Sequence, residues 1–197
     1  LNQDVSRVGA LELKFYNKEF DFDYHSKLKK YLSKKKPVVF LMGLDEIDVS
    51  ILKDSFVIYM GHNGDRSASV ADIILPTPAY TEKSSTYMNI EGRVFQTTKC
   101  YNPLGDAKEE WKVFRALSDT INKKLNFNNL SELRKEIISS FSQFAHLNEI
   151  NPIKKISFGK IHKIKNIKIN YNIENFYMND SISRSSETMA LCTKDIL

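Results

Sequence analysis

Glu82, Thr86, Asn89, Glu91 and Arg93 crowd into one short stretch, with Gly92 between the last two. Two carboxylates, an amide, a hydroxyl and a guanidinium at that density offer donors and acceptors of every kind. Such groups either receive a polar ligand or partner, or hold a turn through bonds to their own backbone. In the second case they must satisfy one another. Arg93 in particular needs a carboxylate if it is buried, because a buried charge without its partner costs on the order of 3–5 kcal/mol.

Other residue sets define narrower chemistries. Gly61-His62-Asn63-Gly64-Asp65-Arg66 follows an apolar run, the position of nucleotide-binding loops in α/β sheets. It is neither GxGxxG nor a Gly-Lys-Ser/Thr loop, so a tight turn exploiting Gly and Asn is the better reading. His25, His62, His146 and His162 lack the i,i+4 pairing or the nearby cysteines of a metal site. Asp45, Glu46 and Asp48 form an acidic cluster after a strand and read as a solvated loop. No Gly-x-Ser-x-Gly elbow is present. Cys100 and Cys192 stand 92 positions apart, which gives no iron–sulfur ligand set and fits a reducing compartment.

The elements that must position these groups follow from periodicity. Val38–Met42, Phe56–Met60 and Ile73–Leu75 are short apolar runs, read as buried strands of a parallel sheet. Their spacing is too short for full crossover helices, so single turns or irregular links are expected. Pro76 and Pro78 end the third strand, since neither can donate to a ladder. Thr86–Met88 and Arg93–Gln96 flank Asn89-Ile90-Glu91-Gly92, which predicts a strand, a tight turn and a return strand. Helices are expected at Leu1–Leu13, at Ser26–Lys36, and at Asp106–Lys124 with a Leu104-Gly105-Asp106 cap and the stripe Trp111, Phe114, Leu117, Ile121. Two more are expected at Ser131–Leu147, capped by Ser131 with Leu133, Ile137, Phe141 and Phe144 on one face, and at Ile182–Ile196, capped by Ser181. The alternation Ile167, Ile169, Tyr171, Ile173 reads as extended chain.

At 197 residues and 42% hydrophobic, the chain can bury one ordinary core, with or without a long tail. No apolar run approaches the ~18 residues of a membrane span, so direct membrane insertion is not expected. The opening LNQDVSRVGA has no initiator Met or signal pattern and reads like the middle of a longer chain. The net charge of +5 is local: 151–173 carries Lys154, Lys155, Lys160, Lys163, Lys165 and Lys168 with no acid. That run lacks aromatic–basic interleaving, so a nucleic-acid partner is not expected.

In order and without gaps, ADIILP, then Glu82, then SSTYMNIEGR resembles the A-D-[IV]-[IV]-L-P and S-T-Y-x-N-x-E-G-R pattern of the molybdopterin oxidoreductase superfamily. The versions AYTEKSSTYMN and NIEGR are most similar to the large iron–sulfur subunits of respiratory complex I, the NADH–quinone oxidoreductase. EEWKVFRALSD from Glu109 and FYMNDSISRSSETMALC from Phe176 are similar to the same group. The resemblance implies an α/β, Rossmann-like parallel sheet from a degenerate molybdopterin oxidoreductase domain, with a helical and extended C-terminal part. It divides the chain into a partial α/β domain at 1–150 and an extended lysine-rich segment with a C-terminal helix at 151–197.

It further implies a scaffold piece of the complex I peripheral arm. The iron–sulfur clusters would lie in the N-terminal part of the subunit or a companion chain, and this chain would hold no cofactor. Partners would be that cluster-bearing part and other peripheral-arm subunits. The location would be the matrix side of the mitochondrial inner membrane, or the cytoplasmic face of a bacterial one. Glu82, Thr86, Asn89, Glu91, Gly92 and Arg93 would then be a structural motif with no catalytic residue. Ser85 stands where active relatives often carry Gly, in keeping with a lost cofactor. The alternative is a fragment of a catalytic molybdopterin-dependent oxidoreductase.

Overall fold

Three apolar strands, β1 (Val38–Met42), β2 (Phe56–Gly61) and β3 (Ile73–Pro76), pair in parallel in the order β1-β2-β3. The computed structural model describes residues 7–15, 29–30, 32, 36–44, 47–149, 175–178 and 180–196. The links are as short as the spacing requires. A 3-10 turn at Val49–Leu52 joins β1 to β2, and one helical turn, α2 (Arg66–Ser69), joins β2 to β3. Before the sheet comes α1 (Arg7–Glu12). Leu41, Val57 and Tyr59 point to one face and bury there with Leu32 and Leu52, with Val39, Ile51, Ala68 and Ala71 packed around them.

β3 departs from the expectation of a buried strand. Ile73 and Ile74 both stand exposed, because β3 is an edge strand among the described elements and neither of its faces is fully covered.

A second core lies around an antiparallel hairpin, β4 (Thr86–Met88) and β5 (Val94–Gln96). Met88, Val94 and Phe144 bury together, with Val8, Ile137 and Phe141 against them. Helix α1 packs on the hairpin at Gly9, where a Cβ would make an ordinary contact with that of Met88 at 3.5 Å. Across the hairpin the Tyr87 and Phe95 rings stack at 5.5 Å.

The helices are shorter than their apolar stripes. Helix α3 (Glu110–Thr120) starts after Glu109, not at Asp106, because the Lys108 amide is taken by the Pro76 carbonyl at the end of β3 (3.1 Å). It ends where Asn122 turns left-handed, at φ 54°. Phe114 meets Phe40 at 5.5 Å and Trp111 meets Phe127 at 6.4 Å, so this stripe packs within the chain. Ile121, expected on the stripe, is exposed past its end.

Helix α4 (Leu130–Ser140) is capped by Asn129, not Ser131. Asn129 Oδ1 accepts from the Glu132 amide, and the Glu132 carboxylate reaches back to the Asn128 amide. The expected run to Leu147 breaks at Phe141, and a 3-10 turn at Ser142–Ala145 carries Phe144 into the core. The C-terminal helix likewise divides, into α5 (Ser181–Arg184) and α6 (Glu187–Ile196), and Asp180 caps the first. In the predicted helix at 26–36, Lys29, Lys30 and Leu32 are helical. The predicted extended run at 167–173 lies outside the described residues.

Candidate functional site

Asn89 organises the central stretch. Its Oδ1 accepts from the Glu91 amide at 3.0 Å and the Arg93 amide at 2.9 Å, while its Nδ2 donates to Glu91 Oε2 at 3.3 Å. The backbone closes the same turn: the Asn89 amide donates to the Arg93 carbonyl and the Gly92 amide to the Asn89 carbonyl, both at 3.0 Å. Gly92 completes it at φ 81°, a conformation that a side chain would strain.

Glu82 does the same for the turn after β3. Its Oε2 accepts from the Ala79 amide, and its own amide donates to the Ala79 carbonyl, each at 3.0 Å. Thr86 Oγ1 accepts from Arg134 Nε at 3.3 Å, tying β4 to α4. Arg134 is a member of this network that the sequence reading missed. Its helical stripe carried no sign that it faces the hairpin.

Arg93 is only partly buried, so its charge does not require a partner carboxylate. Among the described residues its side chain donates to the Asn148 carbonyl at 3.2 Å, and no carboxylate holds it. The neighbouring backbone anchors that loop more directly, with the Asn148 amide donating to the Val94 carbonyl at 2.7 Å. Arg93 is therefore a half-exposed brace between the hairpin and the segment after α4. The motif is thus divided: Asn89, Glu91, Gly92 and Arg93 share one turn, Glu82 holds another, and Thr86 faces α4.

The other candidate lies at the carboxyl end of β2. Asp65 caps α2, its Oδ1 accepting from the Ser67 and Ala68 amides at 2.9 and 3.1 Å. Its Oδ2 accepts from the Tyr59 hydroxyl at 2.7 Å, which also reaches the Asn63 carbonyl at 2.9 Å. Burial, with the Asp65 hydrogen bond and charge, pushes the Tyr59 hydroxyl well above its ordinary pKa and keeps it a donor. The Tyr59 side chain lies back over Gly61, where any Cβ would collide with its ring and hydroxyl. The Gly61–Arg66 turn is closed on itself.

The remaining candidates are dispersed. His62 is exposed, and His146 forms an exposed pair with Glu149 at 3.3 Å. Asp48 caps the 3-10 turn through the Ser50 amide at 3.0 Å. His25, His162, Asp45 and Glu46 lie outside the described residues. Among the described residues, no three His, Cys, Asp or Glu side chains gather as a metal site. No described helix is long and apolar enough to cross a membrane.

Known proteins match this chain along nearly its whole length. Residues 1–120 match the molybdopterin oxidoreductase family model, and residues 151–192 match the C-terminal G-subunit model of NADH-ubiquinone oxidoreductase. The chain is 37% identical to the NADH-ubiquinone oxidoreductase 75 kDa subunit of Reclinomonas americana, over 98% of this chain and 28% of that protein. It is 41% identical to the mitochondrial 78 kDa subunit of Candida albicans, over 98% of this chain and 27% of that one. The NADH-quinone oxidoreductase G-subunit of Rickettsia bellii is 36% identical, with 98% and 27% covered. The chain therefore spans about a quarter of the length of these relatives.

The pterin group implied by the first family name meets an unfavourable site here. In open α/β sheets ligands bind beyond the carboxyl ends of strands, where the strand order reverses. The order β1-β2-β3 has no reversal among the described strands. At the end of β2, the Asp65 carboxylate already occupies the α2 amides that an anionic phosphate would need, and would repel it. These residues do not fit the group.

Proposed function

The chain belongs to the molybdopterin oxidoreductase family, and within that family we propose that it is a cofactor-free scaffold segment of an NADH–quinone oxidoreductase, respiratory complex I. Its relatives at 36–41% identity carry the names of subunits of that enzyme. One observation carries the scaffold reading: Glu82, Asn89 and Arg93 of the central motif and Asp65 of the Gly61–Arg66 turn bond to the chain's own backbone. Asn89 alone caps two amides, and Asp65 caps two more. Side-chain oxygens so engaged hold turns together, as a structural motif does.

In this reading, residues 1–150 form a partial α/β domain and 151–197 an extended segment with C-terminal helices. Electron transfer runs through iron–sulfur clusters in the N-terminal part of the subunit or a companion chain. The partners are that cluster-bearing part and other peripheral-arm subunits, on the matrix side of the mitochondrial inner membrane or the cytoplasmic face of a bacterial one. Glu82, Thr86, Asn89, Glu91, Gly92 and Arg93 act as structure.

The test is native-gel migration combined with elemental analysis. The tagged chain should migrate with a large NADH-oxidising assembly, and the isolated chain should carry no stoichiometric iron or molybdenum. About one molybdenum per chain, bound to this segment, would replace the reading with that of a molybdopterin-dependent enzyme.

A further inference from the structure

The parallel register places Val38 beside Phe56, and Phe40 beside Ile58 and Ile73. With period-two alternation, all five side chains, together with Met42, Met60 and Leu75, share the face opposite the Tyr59 core. Helix α3 covers that face only in part, through Phe114 on Phe40. Met60 is buried at 1%, yet Val38 is 59% exposed, Phe56 44%, Ile73 41% and Met42 52%. Exposed Lys36, Lys53 and Asp54 precede these strands and give the amino-terminal end of the face a polar border. Parallel sheets are covered on both faces, normally by helices, so an apolar row of this kind is half of a contact.

We infer that this open face, centred on Val38, Phe56 and Ile73, is the seat of an apolar helix supplied by the part of the same subunit that lies outside this chain. The inference rests on the subunit reading above and names the surface through which it acts. Two observations select this occupant. Relatives extend well beyond the matched region, which is only 26–28% of their length, so ample chain exists to supply a helix. The patch itself is small. Three strands ~4.8 Å apart and alternate residues ~6.8 Å apart give an open area on the order of 100–200 Å², against ~800 Å² per partner for a stable association of separate molecules. A second copy or a separate subunit seated here would gain too little to offset its lost translational freedom. A segment covalently continuous with this chain meets the face at high effective concentration.

The experiment places the photo-crosslinking residue p-benzoylphenylalanine at position 56 of the full-length subunit, within the assembled complex. The expected product is a link inside the same subunit, to a residue outside this chain. A link to another subunit or a second copy, or no link, overturns the inference. A paired measurement substitutes Val38→Lys with Phe56→Glu and follows incorporation of the subunit. Incorporation should fall about tenfold or more, as for a buried apolar contact, while Tyr101→Glu with Leu104→Lys should change it less than about twofold. Equal incorporation of both pairs overturns the inference. If the face variant does not fold, the position-56 link decides alone. Failure of the wild-type subunit to migrate with an NADH-oxidising assembly would instead remove the subunit reading, so the two failures are distinguishable.

Discussion

Asn89 and Arg93 sit four residues apart in one turn, yet their side chains carry different weight. Asn89 Oδ1 accepts from two amides, one part-buried and one exposed, so Asn89→Ala should cost about 1–2 kcal/mol, as for a lost side-chain cap. Asn89→Asp keeps the acceptor and should recover most of that loss. Arg93→Ala removes one exposed bond to a carbonyl and should cost less than about 1 kcal/mol. Urea denaturation of the three variants checks the order, and a larger loss at Arg93 than at Asn89 would contradict it.

Gly61 and Tyr59 form a tighter pair, since a methyl at 61 must displace the Tyr59 ring and break its bonds to Asn63 and Asp65. Gly61→Ala should therefore cost about 2–4 kcal/mol. Combined with Tyr59→Leu, it should cost at least about 1 kcal/mol less than the two single losses together, because the clash disappears with the ring. Strict additivity in a double-mutant cycle would show that the ring does not lie where the geometry puts it. The sequence reading reached the tight turn at 61–66 from its Gly and Asn content. Nothing in the pattern revealed that Tyr59 fills the space above Gly61, since that depends on a rotamer.

Element ends show why patterns find helices better than their limits. The stripes of α3 and α4 were legible because Trp111, Phe114, Ile137 and Phe141 recur at helical spacing. The true starts were not, because Lys108 gives its amide to a strand far back in sequence and Asn129 competes with Ser131 as cap. The edge exposure of β3 was hidden for a related reason: an apolar triplet reads the same whether or not its cover is present.

The cap on α5 leads to a pH prediction. Asp180 Oδ1 accepts from the Ile182 and Ser183 amides, and the Ser183 hydroxyl bonds the carboxylate. The Ser183 backbone bond chiefly, then the Ser183 hydroxyl and the Ile182 amide, with a smaller contribution from His62, hold this carboxyl below its ordinary 3.8. A lowered folded-state pKa means that the stabilisation is full above pH ~4 and is lost as pH falls through the lowered value. Exchange of the Ile182 and Ser183 amides should accelerate, beyond the intrinsic pH trend, only in that acid range. In Asp180→Ala these amides should exchange at their intrinsic rates at every pH. Unchanged protection in that variant would show that the cap does not hold this end.

At the scale of the whole molecule, the described residues form two small cores, one on the β1-β2-β3 sheet and one on the β4-β5 hairpin. Both leave apolar surface in water: Val38, Met42, Phe56, Ile73 and Ile74 on the sheet, Phe176, Ile182, Leu191 and Ile196 toward the C-terminal end. Exposed apolar strand edges promote association of partly open chains. Cooperative unfolding, in contrast, requires that such surface be buried in the native state. The chain alone should therefore bind the dye ANS and melt over a broad range. Joined to the rest of the subunit it should melt sharply. If the joined part acts as a ligand present at about 1,000 times its dissociation constant, it adds ~4 kcal/mol. At ~2–4 °C per kcal/mol for a chain of this size, the midpoint should rise by roughly 8–16 °C. Differential scanning calorimetry of the chain with and without that part measures the shift directly. A monodisperse chain that melts sharply on its own, with no rise on adding the remainder, would mean that its open faces need no cover. The case for a scaffold segment would then lose its physical basis, because a unit already complete has no surface left with which to brace another.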